Sequence, residues 1–90
     1  MSDWHKKEIA KGVLGELSKI KEELEEALDA EEQGQILMLF FELSDICGAA
    51  GLVAEKLSNG AITIDDLVKF SKLRTSVAKK QAEKSFDIQT

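Results

Sequence analysis

Residues 37–54 read LMLFFELSDICGAAGLVA, an apolar run that contains two carboxylates, Glu42 and Asp45. On a helix, residues three apart lie on the same face, so both carboxylates meet the same neighbour. A charged carboxylate among Leu and Phe side chains is costly unless an opposite charge compensates it. No Lys or Arg lies between Ile36 and Glu55. The compensating charge therefore comes from a bound cation or from bases elsewhere in the fold.

The composition predicts a small all-α domain. The chain has 90 residues without proline, of which 43% are apolar and 32% are charged. Ala, Leu, Glu and Lys dominate, and these residues favour helices. We interpret residues 1–90 as one domain with an acidic helical region (1–34), a buried helix (35–60) and a basic helix (63–86). A chain of this size buries a modest core alone, so we expect a homo-oligomer.

The ends of the helices are predicted by glycines and by a capping pattern. In the first region, apolar residues recur at steps of three and four, which is helical spacing. Gly12 and Gly15 weaken its start, so it begins fully only near Leu14, and Gly34 ends it. Thr63 followed by Asp66 resembles a capping box at the start of the third helix. We expect an antiparallel helical hairpin about Gly34 plus a third helix, assembled as a helical-bundle oligomer. The apolar positions of the first helix are Ile9, Val13, Leu17, Ile20, Leu24 and Ala27 or Leu28.

The charge and the single cysteine exclude several classes of function. A formal net charge of −5 argues against general binding of nucleic acid. Two carboxylates within the apolar run argue against a membrane span. Cys47 cannot form an internal disulfide and is predicted to be a buried thiol in a reducing compartment. The sequence around Met1–His5 lacks the apolar core of a signal peptide, so we expect a cytoplasmic protein.

A hairpin about Gly34 brings four carboxylates to one level. Glu26 precedes Gly34 by eight residues and Glu42 follows it by eight, while Glu23 and Asp45 are each eleven residues away. At a rise of 1.5 Å per residue, the two pairs lie roughly 12–16 Å from the turn. Four acids alone would repel one another. A set of oxygen ligands predicts Mg²⁺ or Mn²⁺ rather than zinc.

The same residues also have structural explanations. Glu22 to Glu26 can form a solvated helix face, and Glu42 with Asp45 can form a polar stripe at a subunit boundary, paired with Lys19 or Lys21. His5 stands next to two lysines and is expected to be exposed, too far along the chain to be a ligand. Trp4 is expected to pack a helix end on the core rather than to stack on a base.

The pattern Glu23-x-x-Glu26 followed by Glu42-x-x-Asp45 resembles the metal-binding pattern of the all-α nucleoside triphosphate pyrophosphohydrolases, the MazG-like and phosphoribosyl-ATP pyrophosphohydrolase-like superfamily. The stretch from Gly15 to Glu23 and the motif at residues 42–45 are similar to the short single-domain members found in phage and bacterial genomes. This resemblance covers roughly residues 12–57, about half of the chain.

The resemblance implies a helical dimer or tetramer that cleaves a nucleoside triphosphate between its α and β phosphates. Mg²⁺ (or Mn²⁺) would be held by Glu23, Glu26, Glu42 and Asp45. Glu22 would be a further ligand or the catalytic base that orients water. The resemblance does not extend to the third helix, but its basic residues could hold the outer phosphates through charge-assisted hydrogen bonds, with a solvated helix face as the structural alternative. These phosphate-binding candidates are Lys72, Arg74 and Lys79, with Lys80 beside them.

Two other functions compete with this one. A binding protein on the same scaffold would capture a nucleotide without cleaving it. A helical protein-interaction module would bind no ligand and would carry its acids as surface residues.

Overall fold

The computed structural model of this chain describes residues 5–89, with side chains for residues 5–81. It confirms the all-α class, because the described residues form three helices and no strand. The helices are α1 (Leu17–Glu32), α2 (Ile36–Leu57) and α3 (Ile64–Gln89). Helix α2 packs against both α1 and α3, whereas α1 and α3 make no contact within the described residues.

The first helix begins later than predicted, because residues 5–16 form a non-helical segment that we call the N-terminal strap. The backbone N–H of Gly12 donates to Glu22 Oε1, and that of Lys6 donates to Asp29 Oδ2. The strap thus runs back along α1. A Cβ on Gly12 would lie 2.3 Å from the carbonyl oxygen of Ser18, so only glycine fits there. Gly15 adopts a φ of 86°, which also ends helical continuity before Leu17.

Helix α2 follows the predicted bounds closely. Three residues, 33–35, separate it from α1. Gly34 has a φ of 71°, which explains the glycine at this turn. The backbone N–H of Gln35 donates to the Ala30 carbonyl at 2.9 Å, which satisfies one of the last acceptors of α1.

The junction of α2 and α3 also agrees with the sequence. Asn59 and Gly60 both have positive φ, and this ends α2. The backbone N–H of Thr63 donates to Asp66 Oδ2 at 2.9 Å, which is half of the predicted capping box. A Cβ on Gly51 would lie 2.8 Å from that of Ile64, so a glycine allows α2 and α3 to approach closely.

The burial of α1 is the reverse of the predicted pattern. Among the described side chains, the fully buried apolar residues are alanines, Ala27, Ala30 and Ala49. Large apolar residues predicted for the core are exposed in the single chain. On α1 these form an apolar face, with Leu17 71%, Leu24 48% and Leu28 51% exposed. Others on α2 and α3 include Ile36, Leu37, Phe40, Phe41, Leu57, Phe70 and Leu73.

The thiol of Cys47 is exposed, so the prediction of a buried thiol is wrong for the single chain. By length and composition α2 could cross a membrane, and 22% of its apolar window is buried within the chain. Glu42 lies in the middle of this helix and is buried against α1.

Candidate metal centre

One side of α1, which we call the acid face, consists of Glu22, Glu23, Glu26 and Asp29. All four residues are buried, and Asp29 is only 1% exposed. They lie on the opposite side of the helix from the apolar face, because one residue advances about 100° around the axis. Carboxylates are seldom fully buried without a partner. The acid face therefore needs opposite charge or bound protons.

Helix α2 adds its two carboxylates to this face, forming an acid cluster of Glu23, Glu26, Glu42 and Asp45. Carboxylate oxygens of Glu23, Glu42 and Asp45 lie within 4.8 Å of one another. Those of Glu22, Glu23 and Glu26 satisfy the same limit. Oxygens of Glu26 and Glu42 also lie within 4.8 Å of each other. The structure thus brings together the four residues predicted as metal ligands, and their binding of a metal stays a prediction.

Two oxygens of the cluster have no hydrogen-bond partner among the described residues. These atoms are Glu23 Oε2 and Glu42 Oε2, on side chains that are 9% and 6% exposed. A buried carboxylate oxygen without a donor carries a desolvation cost of about 1–3 kcal/mol or more. A hard divalent cation is a natural partner for such oxygens, since it binds several carboxylates at once.

The crowding of charge shifts the pKa values of the central pair. Burial, together with repulsion from and hydrogen bonding to Glu26, raises the pKa of Glu42 to about 7. Burial also raises the pKa of Glu26, with contributions from Glu22 and Glu23. Without a cation, Glu42 therefore keeps its proton to a higher pH than an ordinary glutamate does. Protons and a cation therefore compete for the same oxygens.

Glu22, the predicted catalytic base, is bound to the strap and to lysine. Its Oε1 accepts from the Gly12 N–H at 2.8 Å and from Lys19 Nζ at 3.1 Å. Although burial opposes ionisation, these two donors hold the pKa of Glu22 below its usual value. A carboxylate of lowered pKa is a weak general base. Lys19 also contacts Glu23 Oε1 at 3.1 Å, so it pairs with the acid face and not with Glu42.

His5 lies at the cluster, and the prediction that it would be exposed and remote is wrong. Its side chain is 1% exposed, and Nδ1 lies 2.8 Å from Asp29 Oδ2. Its Nε2 lies 3.4 Å from Glu26 Oε2 and 4.0 Å from Glu42 Oε1. The prediction relied on the distance of His5 from the acids along the chain, but the strap folds back over α1. Asp29 was also missed, although its position three residues after Glu26 places it on the same face.

The predicted phosphate-binding residues are on α3 and are exposed. Lys72 and Lys79 line one shallow groove with Ser71, Thr75 and Ser76, whereas Arg74 lines another with Leu73 and Val77. The three therefore do not converge on one ligand in the single chain. In the described part of the chain, no ion pair joins them to the acid cluster. Trp4 lies outside the described residues.

Comparisons with known proteins add no assignment. No protein-family model, no curated protein and no solved structure matches this chain.

Proposed function

We propose that this protein is a divalent-metal-dependent nucleotide pyrophosphohydrolase that converts a nucleoside or deoxynucleoside triphosphate, or a related nucleotide, to the monophosphate and pyrophosphate. One observation carries the proposal: the acid cluster, whose buried members Glu23 and Glu42 each have an oxygen without a hydrogen-bond donor among the described residues. The resemblance of the two motifs, Glu23-x-x-Glu26 and Glu42-x-x-Asp45, points to the same chemistry.

The residues of the cluster fit Mg²⁺ or Mn²⁺ because they supply carboxylate oxygens from two adjacent helices. A cation held there would neutralise phosphate charge and lower the pKa of bound water. The chain's own residues would orient that cation and keep it partly shielded from solvent. Glu22 would stay ionised and help to hold the cation by its negative charge, because its lowered pKa makes it a poor proton acceptor.

The proposal includes an antiparallel hairpin of α1 and α2 and a homo-oligomer. The short link at residues 33–35 and the pairing of Glu26 with Glu42 support the hairpin. The many exposed leucines and phenylalanines support a dimer or a tetramer, because monomeric proteins rarely expose such extensive apolar surface. In that assembly, α3 of another copy would bring basic residues for the phosphates to the acid cluster, which within one chain has Lys19 and His5 beside it.

The test is a screen for pyrophosphate release over nucleoside and deoxynucleoside triphosphates with Mg²⁺ or Mn²⁺. We expect turnover that falls at least about 100-fold in Glu42→Gln, since a ligand to the metal is lost. The matched control is Glu55→Gln, an exposed acid on the same helix, which should retain full activity.

A second candidate is a nucleotide-binding protein without catalysis on the same scaffold. The separation of Arg74 from Lys72 and Lys79 favours it, because the phosphates would be loosely held. Nucleotide binding measured by calorimetry, without pyrophosphate release from any nucleotide, would support this candidate. Absence of both metal and nucleotide binding would instead favour a helical interaction module.

A further inference from the structure

The strap places a histidine nitrogen beside a cluster for which the sequence motifs predict oxygen ligands alone. His5 is the only histidine of the chain, and its imidazole is buried between two helices. The nitrogen Nε2 and oxygens of Glu26 and Glu42 all lie within 4.8 Å of one another. Two atoms bound to one ion at about 2.1 Å lie roughly 3–4 Å apart. The separations of 3.4 Å and 4.0 Å at His5 have this size.

Asp29 orients the imidazole for this role. Its Oδ2 atom lies 2.8 Å from His5 Nδ1, and it accepts hydrogen bonds from the Lys6 N–H and from Gln33 Nε2. The carboxylate fixes the proton on Nδ1, so the lone pair of a neutral imidazole lies on Nε2, the atom that faces Glu26 and Glu42. A carboxylate behind a histidine is the usual second layer of a metal site. These contacts outweigh burial and hold the pKa of Asp29 below its usual value.

A second observation, a buried carboxylate oxygen without a donor, also points to a bound cation. Glu42 Oε2 has no hydrogen-bond partner among the described residues, on a side chain that is 6% exposed. An imidazolium at His5 would offset part of the negative charge without giving this atom a donor. A cation bound by both residues would satisfy this oxygen of Glu42.

We propose that His5 binds the cation of the acid cluster through Nε2, with Glu26 and Glu42, and that Asp29 is its positioning residue. This inference rests on the metal centre of the proposed function. It makes the centre a mixed nitrogen and oxygen site, which favours Mn²⁺ and similar transition metals over Mg²⁺. The strap is then part of the metal site, and metal binding ties it to α1 and α2.

Electron spin-echo spectroscopy of the Mn²⁺ complex tests the proposal on the wild-type protein, purified without a histidine tag. Nitrogen-14 modulation of imidazole type is expected, and His5 is the only possible source. The signal should disappear in His5→Ala. That substitution should lower the ratio of Mn²⁺ to Mg²⁺ affinity at least about tenfold, whereas Asp29→Asn should keep the signal and weaken Mn²⁺ binding by about tenfold.

Lys7→Ala is the matched control, because Lys7 lies in the same strap and makes an exposed ion pair with Glu32. It should leave Mn²⁺ affinity unchanged. Bound Mn²⁺ without nitrogen modulation would overturn the role of His5 and leave the metal-dependent function standing. Failure of the wild type to bind Mn²⁺ would overturn both. Nitrogen modulation without pyrophosphate release would support the role of His5 and count against the hydrolase.

Discussion

The two faces of α1 differ in a way that is unusual for an amphipathic helix. The acid face, with Glu22, Glu23, Glu26 and Asp29, is buried in the chain, while the apolar face, with Leu17, Leu24 and Leu28, is exposed. Soluble helices normally bury the apolar stripe and expose the charges. The apolar face therefore points to something beyond the single chain, whereas Lys19 and His5 compensate part of the acid face within it. The acid face requires positive charge, and the apolar face requires another protein surface.

The acid cluster, to which the acid face contributes Glu23 and Glu26, can be tested at Asp45. Asp45→Ala removes a ligand from an exposed position, so it should leave no large cavity. We expect metal affinity and turnover to fall at least about 100-fold, while the metal-free protein melts at the same temperature or slightly higher. Thermal melts of wild type and mutant, each with and without excess Mg²⁺ or Mn²⁺, measure this. A wild type that gains no stability from metal, with a mutant that melts far lower in both buffers, would identify Asp45 as a structural ion-pair residue.

The pH dependence of stability provides a second test of the buried carboxylates. The pKa of Glu42 lies near 7 in the folded protein, above its ordinary value of 4.5. The folded state thus holds its proton more tightly than the unfolded state does. Stability from this group is complete below pH 4.5 and is lost as the pH rises through 7. Denaturant titrations of the metal-free protein should show a loss of up to about 3 kcal/mol between pH 5 and pH 8.

Saturating metal should oppose this loss. A bound cation competes with protons for the cluster oxygens, so the stabilisation by metal should grow as the pH rises. Titrations at pH 5 and pH 8 with excess Mg²⁺ or Mn²⁺ provide the comparison. Equal stability of the metal-free protein at both pH values would show that the carboxylates are solvated and would weaken the case for the metal centre.

The apolar face is tested by Leu28→Glu. Leu28 is half exposed in the chain, so the substitution costs little within it. If another copy covers this face, replacing Leu28 by a charged residue removes about 2 kcal/mol of apolar burial for each copy. That loss should dissociate the oligomer. Sedimentation at micromolar concentration should show smaller particles than for the wild type. The control is Glu31→Gln on the exposed end of α1, and a monomeric wild type would contradict the prediction.

Two glycine substitutions, one in the strap and one in α2, should have the smallest effects on stability. Gly12→Ala places a methyl group against the Ser18 carbonyl and should displace the strap, with a loss of about 1–3 kcal/mol. At Gly48 a Cβ meets nothing within 4 Å. Gly48→Ala should therefore stabilise α2 by about 0.5–1 kcal/mol. Denaturant midpoints measure both changes. A neutral Gly12→Ala would mean that the strap does not pack tightly on α1.

The local parts of this structure could be predicted from the sequence. The bounds of α2, the turn at Gly34 and the cap at Thr63 follow from glycines and short-range pairs. The pairing of Glu26 with Glu42 follows from counting residues on both sides of Gly34. These features depend on neighbours within a few turns of helix, where periodicity and rise per residue are reliable guides.

The strap and its histidine could not be predicted in the same way. Ile9 and Val13 have helical spacing, yet the hydrogen bonds of Gly12 and Lys6 go to α1. Such contacts depend on the path of the chain, about which periodicity says nothing. The two glycines at positions 12 and 15 were the available signal. Similarly, the spacing of Leu17, Leu24 and Leu28 shows an apolar face but cannot tell whether the same chain or another chain covers it.

The exposure of Cys47 has a practical consequence. As the single cysteine of the chain, it can take a fluorescent maleimide at one known position without any mutation. Its side chain lines a groove with Ile64 and Val68, so the dye would report on the contact of α2 with α3. Energy transfer between donor-labelled and acceptor-labelled chains would reveal subunit exchange. The natural sequence therefore already carries a labelling site suited to watching its own assembly.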